Sequence, residues 1–301
     1  FVSTHYNYRD HRKILVIDGQ VGFTGGVNLA DEYINHIEKY GRWKDSALML
    51  EGEGVRSMTA LFLQMWCILC QPEFEQFLSD PIPAAANAKG FVVPYGDCPL
   101  DGERVGEMVY MDMLNRARKY VHIITPYLIL DDKMTTALCV AAKTGVDVRI
   151  ITPAIPDKWY VHAVTRANYE ELTRAGVRIY EYTPGFIHSK VYLADSVQAV
   201  VGTVNLDFRS LYLHFECAAC LFGCDAIRDI EQDEERKIIY EAVAGLAPRE
   251  REIIELRFGL SGSREMTQKE VADALGISQS YISRLEKKII DRLRDEIKDK
   301  I

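Results

Sequence analysis

Nowhere in its 301 residues does the chain carry an apolar run approaching the roughly 20 residues that a membrane-spanning helix needs. Nor does it have a basic excess. Its formal net charge is −8, which excludes a globally basic nucleic-acid binder and leaves room only for a local basic face. The seven cysteines lack metal-site geometry. Cys67 and Cys70 lie in the apolar stretch LFLQMWCILC, where burial in a helix accounts for them. Cys217 and Cys220 fall in ECAACLF, a strand on which positions three apart face opposite sides. An odd count without a secretion signal fits reduced thiols in the cytoplasm. The chain opens on Phe1 rather than Met, so the expectation is further chain upstream.

Charge density is present, and it is uneven. Residues 231–301 hold 30 charged side chains in 71 positions, against 50 in the preceding 230. That step marks a domain boundary, placed at about Asp233 inside RDIEQDEERKII, a stretch without the Gly, Pro or Ser of a flexible connector. Before it, strands such as VHIITPY, DVRIITP and FECAACLF alternate with helical runs that end at glycine. The predicted fold is therefore an α/β sheet with flanking helices. SDPIPAAANAKG (79–90) is rich in breakers and reads as a linker. The expected divisions are a partial first half over 1–80, a linker over 81–90, a second half over 91–230 and a small all-α domain over 231–301.

The sequence also repeats itself. HRKILVIDGQVGFTGGVN (11–28) and HSKVYLADSVQAVVGTVN (188–205) match position by position: His, Lys two on, Asp five further, then Gly, a small residue and Asn. A lone His-x-Lys is most often surface decoration, but two copies of identical spacing are not. In an extended strand His11 and Lys13 share a face, as do His188 and Lys190. If the copies meet, two imidazoles, two ammoniums and the amides of Asn28 and Asn205 line one pocket. That set suits a phosphodiester: cations and amides neutralise the phosphoryl oxygens, one imidazole attacks phosphorus and the other protonates the leaving alcohol. A carboxylate, Glu32 or Glu216, is expected on the nucleophile's second nitrogen. No cofactor or metal is required.

These residues resemble the phospholipase D superfamily, whose signature is H-x-K-x4-D-x6-G-[GS]-x-N, with Thr203 at the small position of the second copy. Flanking words such as GRWKDSALMLEG, VHIITPYLIL and LHFE look like bacterial cardiolipin synthases. The resemblance covers roughly residues 1–230. It implies phosphatidyl transfer between two phosphatidylglycerols through a phosphohistidine, at a membrane surface, with His11, Lys13, Asp18, Asn28 and Glu32 from one copy and His188, Lys190, Asp195, Asn205 and Glu216 from the other. His11 is taken as the nucleophile. The family carries membrane-spanning helices and further strands ahead of the first motif, so the first half is expected to be incomplete here, its motif strand short of neighbours. The parent enzyme is expected at the bacterial inner membrane.

After Asp233 the periodicity is helical, with Pro248 at a helix start and Gly259 near an end. TQKEVADALG opens on a capping box, Thr267 and Glu270, and closes at Gly276; Ser278 caps the helix that follows. Two helices joined through a glycine turn give a helix-turn-helix. Gln279, Ser280 and Arg284 are its candidate base readers, and Ser283, Lys287 and Lys288 its candidate phosphate contacts. The alternative is a solvated, salt-bridged helix pair. LAPREREIIELRFGL and the helices after it resemble region four of bacterial sigma factors, nearest the sporulation sigma-E and sigma-K group, over roughly residues 234–298. The resemblance implies binding to the promoter −35 element and to RNA polymerase core. Three readings follow: an enzyme with an appended bundle, a transcription module behind an inactive enzyme, or a chimera of two incomplete genes. The third is favoured as history.

Overall fold

The computed structural model describes residues 7–69, 77–78, 82, 88–260 and 264–298, so most of the expected linker 81–90, and Cys70, lie outside the described residues. The chain divides into two compact units, Phe1–Glu231 and Gln232–Ile301.

The first unit is built on one mixed sheet. Its strands are β1 (Arg9–Asp10), β5 (Phe91–Asp97), β6 (Tyr120–Ile124), β8 (Asp147–Pro153), β9 (Arg178–Tyr182), β10 (Val191–Ala194), β11 (Gln198–Gly202) and β13 (His214–Phe222). The order is β1-β13-β11-β10-β6-β8-β9, with β5 also on β13. Parallel pairing of β6, β8 and β9 needs crossovers. They are supplied by the helices at Asp132–Lys143, Trp159–Ala167 and Tyr169–Ala175. A second, three-stranded antiparallel sheet holds β2 (Ile14–Ile17), β3 (Val21–Gly25) and β4 (Ala47–Glu51), followed by α1 (Gly54–Leu69). A short parallel pair, β7 (Leu128–Ile129) and β12 (Leu206–Asp207), lies apart from both. In chain order the remaining helices are α2 (Val105–Arg116), α3 to α5 as just given, and α6 (Phe208–Tyr212).

Side-chain alternation explains why the large sheet is covered on both faces. Tyr192, Ala194, Val200, Ala218 and Cys220 point into a core shared with Tyr110, Met113 and Leu138 of α2 and α3. Their neighbours Val191, Leu193, Ala199, Val201, Ala219 and Leu221 point into a second core, shared with Leu50, Val55 and Met58 of β4 and α1. The strand CAACL therefore buries both of its cysteines, Cys217 and Cys220, on opposite faces. Within the small sheet, β2 has β3 as its one neighbouring strand among the described residues, and Leu15, Ile17 and Met49 stay about half exposed. Residues 11–13, expected as strand, are irregular, and β2 begins only at Ile14.

Helix α7 (Ala226–Ala244), which contains the expected boundary at Asp233, has its first six residues in the first unit and the rest in the second, whose other helices are α8 (Pro248–Phe258), α9 (Gln268–Leu275) and α10 (Gln279–Lys298). Pro248 opens α8 and Gly259 ends it in the left-handed region. Thr267 and Glu270 form the expected capping box, Glu270 N–H donating to Thr267 Oγ1 and Thr267 N–H to Glu270 Oε2. Gly276 adopts φ 65°, a conformation open to glycine at little cost, and turns the chain from α9 into α10. Tyr281 N–H donates to Ser278 Oγ, the expected cap. Ile253, Val271, Ala272 and Ile282 form the small core, with Leu275, Ile277 and Leu285 against it.

Candidate active site and candidate nucleic-acid interface

Two backbone pairings assemble the first site, and they are copies of each other. Asp10 lies opposite Phe215 in the parallel pair of β1 with β13, and His11 N–H donates to Phe215 O at 2.9 Å. Lys44 bridges to Ile187, and His188 N–H donates to Lys44 O at 2.7 Å. Each histidine is thus held one residue away from a carboxylate of the other half. His11 Nδ1 lies 2.9 Å from Glu216 Oε2, and His188 Nδ1 lies 2.7 Å from Asp45 Oδ2. Gly25 opposes Ala47 in the small sheet, as Gly202 opposes Ala218 in the large one. Asp45 and Glu216 therefore occupy the same position of the repeat, and the carboxylates are exchanged between halves.

The lysines follow the same plan. Lys13 Nζ donates to His11 O at 2.7 Å, and Lys190 Nζ donates to His188 O. Lys190 Nζ also lies 2.9 Å from His188 Nδ1. Lys190 is 1 % exposed, and burial drives its ammonium down to about 7, against the attraction of Asp45. Lys13 is lowered too, first by burial, with Glu216, Cys217 and Asp45 opposing. Burial, reinforced by the Lys190 charge, pushes His188 down to about 3 despite its bond to Asp45, so the imidazole is neutral near pH 7. Glu216 would be raised by its burial. Its bonds with His11 and the proximity of His214, joined by the Thr203 hydroxyl, hold it at about 2.

The small position before each asparagine is set by these carboxylates. A side chain on Gly26 would run into the Asp45 carboxylate and the His188 carbonyl. Its counterpart Thr203 instead donates its hydroxyl to Glu216. Asn205 is buried, with Oδ1 unpartnered among the described residues. Asn28, half-buried, interacts with the Tyr33 hydroxyl. Trp43 packs its ring 5.2 Å from that of His188, and His214, at the matching position of the other half, sits 5.5 Å from His11.

Three expected site residues are not brought to the histidines. Asp195 occupies the β10–β11 turn, at the end of β10 away from His188. Its carboxylate accepts from the backbone N–H of Arg118, Lys119 and Tyr120 at 2.7, 2.8 and 2.9 Å, which pins the turn. Asp18 sits at the corresponding β2–β3 turn with φ 51°. It lines a cavity of about 640 Å3 with Arg56, Phe62 and Trp66 that contains neither histidine. Glu32 lies half-buried in a short 3-10 turn, Asp31–Ile34, and bonds to neither imidazole. The residue that sequence reasoning missed is Asp45. Its signal was the echo of DSA (45–47) in ECA (216–218).

In the second unit, Gln279, Ser280, Ser283, Arg284, Lys287 and Lys288 are all exposed on α10, at spacings that share one side of a helix. Arg284 Nε donates to Ser280 O at 3.3 Å, leaving the rest of its guanidinium outward. Beneath this face, buried Glu286 accepts from Arg257 at 2.9 and 3.2 Å and from Gln268 at 3.0 Å, tying α8, α9 and α10 together. Glu286 is thus a structural tie, while Lys287 and Lys288 beside it face solvent.

Comparison with known proteins matches each unit separately. Residues 110–237 match the family described as cardiolipin synthase, PLD-like domain, and residues 242–295 match sigma-70, region 4. An uncharacterized protein of Streptococcus mutans is 58 % identical over 234 residues, covering 77 % of this chain and 50 % of that protein. A cardiolipin synthase of Geobacillus thermodenitrificans is 40 % identical over 235 residues, covering 77 % and 47 %. The chain thus spans about half the length of these curated relatives. The crystal structure of a phosphatidylserine synthase from Haemophilus influenzae Rd KW20 superposes with a TM-score of 0.56 at 16 % identity, covering 77 % of this chain and 63 % of that one, a likeness of fold.

Proposed function

The chain carries a PLD-like domain of the cardiolipin synthase family, followed by a sigma-70 region 4 domain, and on that footing we propose that the first unit transfers a phosphatidyl group through a phosphohistidine. The observation that carries the proposal is the crossed pair His11–Glu216 and His188–Asp45, with Lys13 and Lys190 folded beside it. A carboxylate on Nδ1 fixes the proton there and leaves the lone pair on Nε2. His188, kept neutral by burial and the Lys190 charge, is the better nucleophile, reversing the expectation of His11. Its Nε2 attacks phosphorus of phosphatidylglycerol, the bond to glycerol oxygen breaks, and His11 delivers a proton to that oxygen. A second phosphatidylglycerol then loses its hydroxyl proton to His11 and attacks phosphorus, breaking the phosphorus–nitrogen bond and forming cardiolipin. Lys13, Lys190, Asn28 and Asn205 hold the phosphoryl oxygens as charge builds. The membrane surface supplies both lipids.

Trapping tests the assignment. A phosphodiester with an activated leaving group, labelled on phosphorus, should label the denatured chain when His11 is replaced by Asn, and not when His188 is. Label on His188→Asn alone would reverse the roles, and none on the unsubstituted chain would remove the covalent step.

The second unit is assigned promoter −35 binding and contact with RNA polymerase core, on the strength of the exposed polar face of α10. A sporulation-type sigma factor fragment with an inactive enzyme remnant is the competing reading of the whole chain. Arg284→Ala should lose discrimination between promoter and scrambled duplexes by roughly 5- to 150-fold, since a bidentate base contact contributes about 1–3 kcal/mol. Equal discrimination in a folded variant would take Arg284 out of the readers. The two family matches meet between residues 237 and 242, which supports a join of two genes. Native DNA reading differently at that point would make the join a product of assembly.

A further inference from the structure

The second half of the repeat departs from the first at one aromatic position. Where Trp43 packs on His188, the corresponding residue against His11 is His214. Packing alone is satisfied by an indole at this position, so the imidazole brings something the scaffold does not require. His214 Nδ1 lies 3.4 Å from Glu216 Oε1, yet neither ring nitrogen of His214 has a hydrogen-bond partner among the described residues. Its side chain is 12 % exposed, so these nitrogens are largely withdrawn from water. One ligand atom each from His11, His214 and Glu216 lie within 4.8 Å of one another.

We propose that His11, His214 and Glu216 form a Zn2+ site whose occupation switches the histidine pair off. Two imidazoles and a carboxylate are a zinc donor set, with a fourth position left for water. At metal–ligand lengths of about 2.0–2.1 Å, ligand atoms of a tetrahedral ion stand about 3.3 Å apart. The His214–Glu216 separation of 3.4 Å already has that value. The separation of His11 Nδ1 from the same oxygen, Glu216 Oε1, is 3.0 Å and must open by a few tenths of an ångström.

The chemistry of inhibition follows from the tautomer. In the working state His11 donates its Nδ1 proton to Glu216 and exchanges protons with substrate at Nε2. When Zn2+ takes Nδ1, the single proton of the neutral ring moves to Nε2 and stays there. The ring can then neither accept a proton from an incoming alcohol nor become the imidazolium that delivers one. This consequence rests on the proposed role of His11, whereas the binding of the ion does not.

The test uses the full chain, stripped of metal and kept reduced, titrated with zinc at pH 7.5 against a fluorescent zinc indicator. His214→Phe keeps a ring in place and removes the ligand, and His214→Asn serves if the phenylalanine variant does not fold by circular dichroism. Zinc affinity of the unsubstituted chain should exceed that of the folded variant by at least about 10-fold, with X-ray absorption showing nitrogen and oxygen neighbours. Equal affinities, or a sulfur-dominated shell, overturn the site. In parallel, zinc should suppress phosphodiester turnover reversibly by chelator in the unsubstituted chain and not in the variant. Zinc-insensitive turnover in a chain that binds the ion at this site overturns the switch. A metal-free chain with no turnover would instead count against the phosphatidyl-transfer reading, with the titration still deciding the site.

Discussion

Burial places the Lys190 ammonium at a midpoint of about 7, and this makes anion binding a sharp function of pH. The sign follows from the direction of the shift: a lysine lowered from 10.5 is charged below its folded midpoint and neutral above it. With that midpoint, Lys190 carries its proton in roughly nine chains of ten at pH 6 and in about one of a hundred at pH 9. If a phosphoryl-like dianion binds only to the charged form, its affinity falls roughly 90-fold over that interval, approaching tenfold per pH unit only above about pH 8. Sulfate is a suitable probe because it stays dianionic throughout, and calorimetric titration reads its affinity directly. Lys190→Met retains the length of the side chain without the charge and cancels the titration of every other group. The ratio of unsubstituted to variant affinity should therefore be large at pH 6 and close to one at pH 9. Lys13, lowered by the same burial, can only steepen the fall. A ratio that stays constant from pH 6 to 9 would refute the burial argument. The same linkage acts on stability. The unfolded chain holds this proton up to 10.5, so stability from this group rises between about pH 7 and 10.5, and Lys190→Met should flatten that rise in urea midpoints.

Other consequences are independent of Lys190. Asp45→Asn should leave the fold intact and lower phosphatidyl transfer by ~10^2-fold or more, because the amide no longer selects the His188 tautomer. Glu32→Gln, away from both imidazoles, should leave the rate unchanged, and a comparable loss in both variants would defeat the assignment. Asp195→Ala removes the acceptor of three backbone N–H groups and should cost roughly 1–3 kcal/mol in chemical denaturation. The folded fraction should keep its specific activity, and a rate loss without destabilisation would return Asp195 to the chemistry. Glu286→Ala removes the carboxylate that accepts from Arg257 and Gln268 and should destabilise the helical unit by about 1–3 kcal/mol, seen as an earlier melt of the unit's helical signal. An unchanged melt would contradict the tie.

The elements were readable where a single segment carries its own reason for being. HFECAACLF is apolar on both faces because β13 is sandwiched between two cores, and TQKEVADALG encloses its helix between a capping box and a glycine turn. The histidines and lysines were readable because the repeat fixes them relative to each other. Asp45 was not, since its partner His188 stands 143 residues away and belongs to the other copy. Glu32 looked right by distance in sequence, but the relevant coordinate is strand register: Ala47 opposes Gly25, which carries Asp45 across to His188. The aspartates of the motif misled for the complementary reason. Both sit at strand turns, away from the histidines, and Asp195 there accepts from three backbone N–H groups.

The exchange of carboxylates bears on descent. A polypeptide with one copy of the motif would hold a histidine without its own acid, and would finish its site only by associating with a second polypeptide. Such a symmetric pair works only above the concentration at which it assembles. Duplication within one gene removes that threshold, because the second encounter becomes intramolecular, at an effective concentration on the order of millimolar. It also releases the two copies from identity. Once both are covalently linked, one can keep a tryptophan and a glycine where the other takes a histidine and a threonine, and the paired imidazoles are free to specialise.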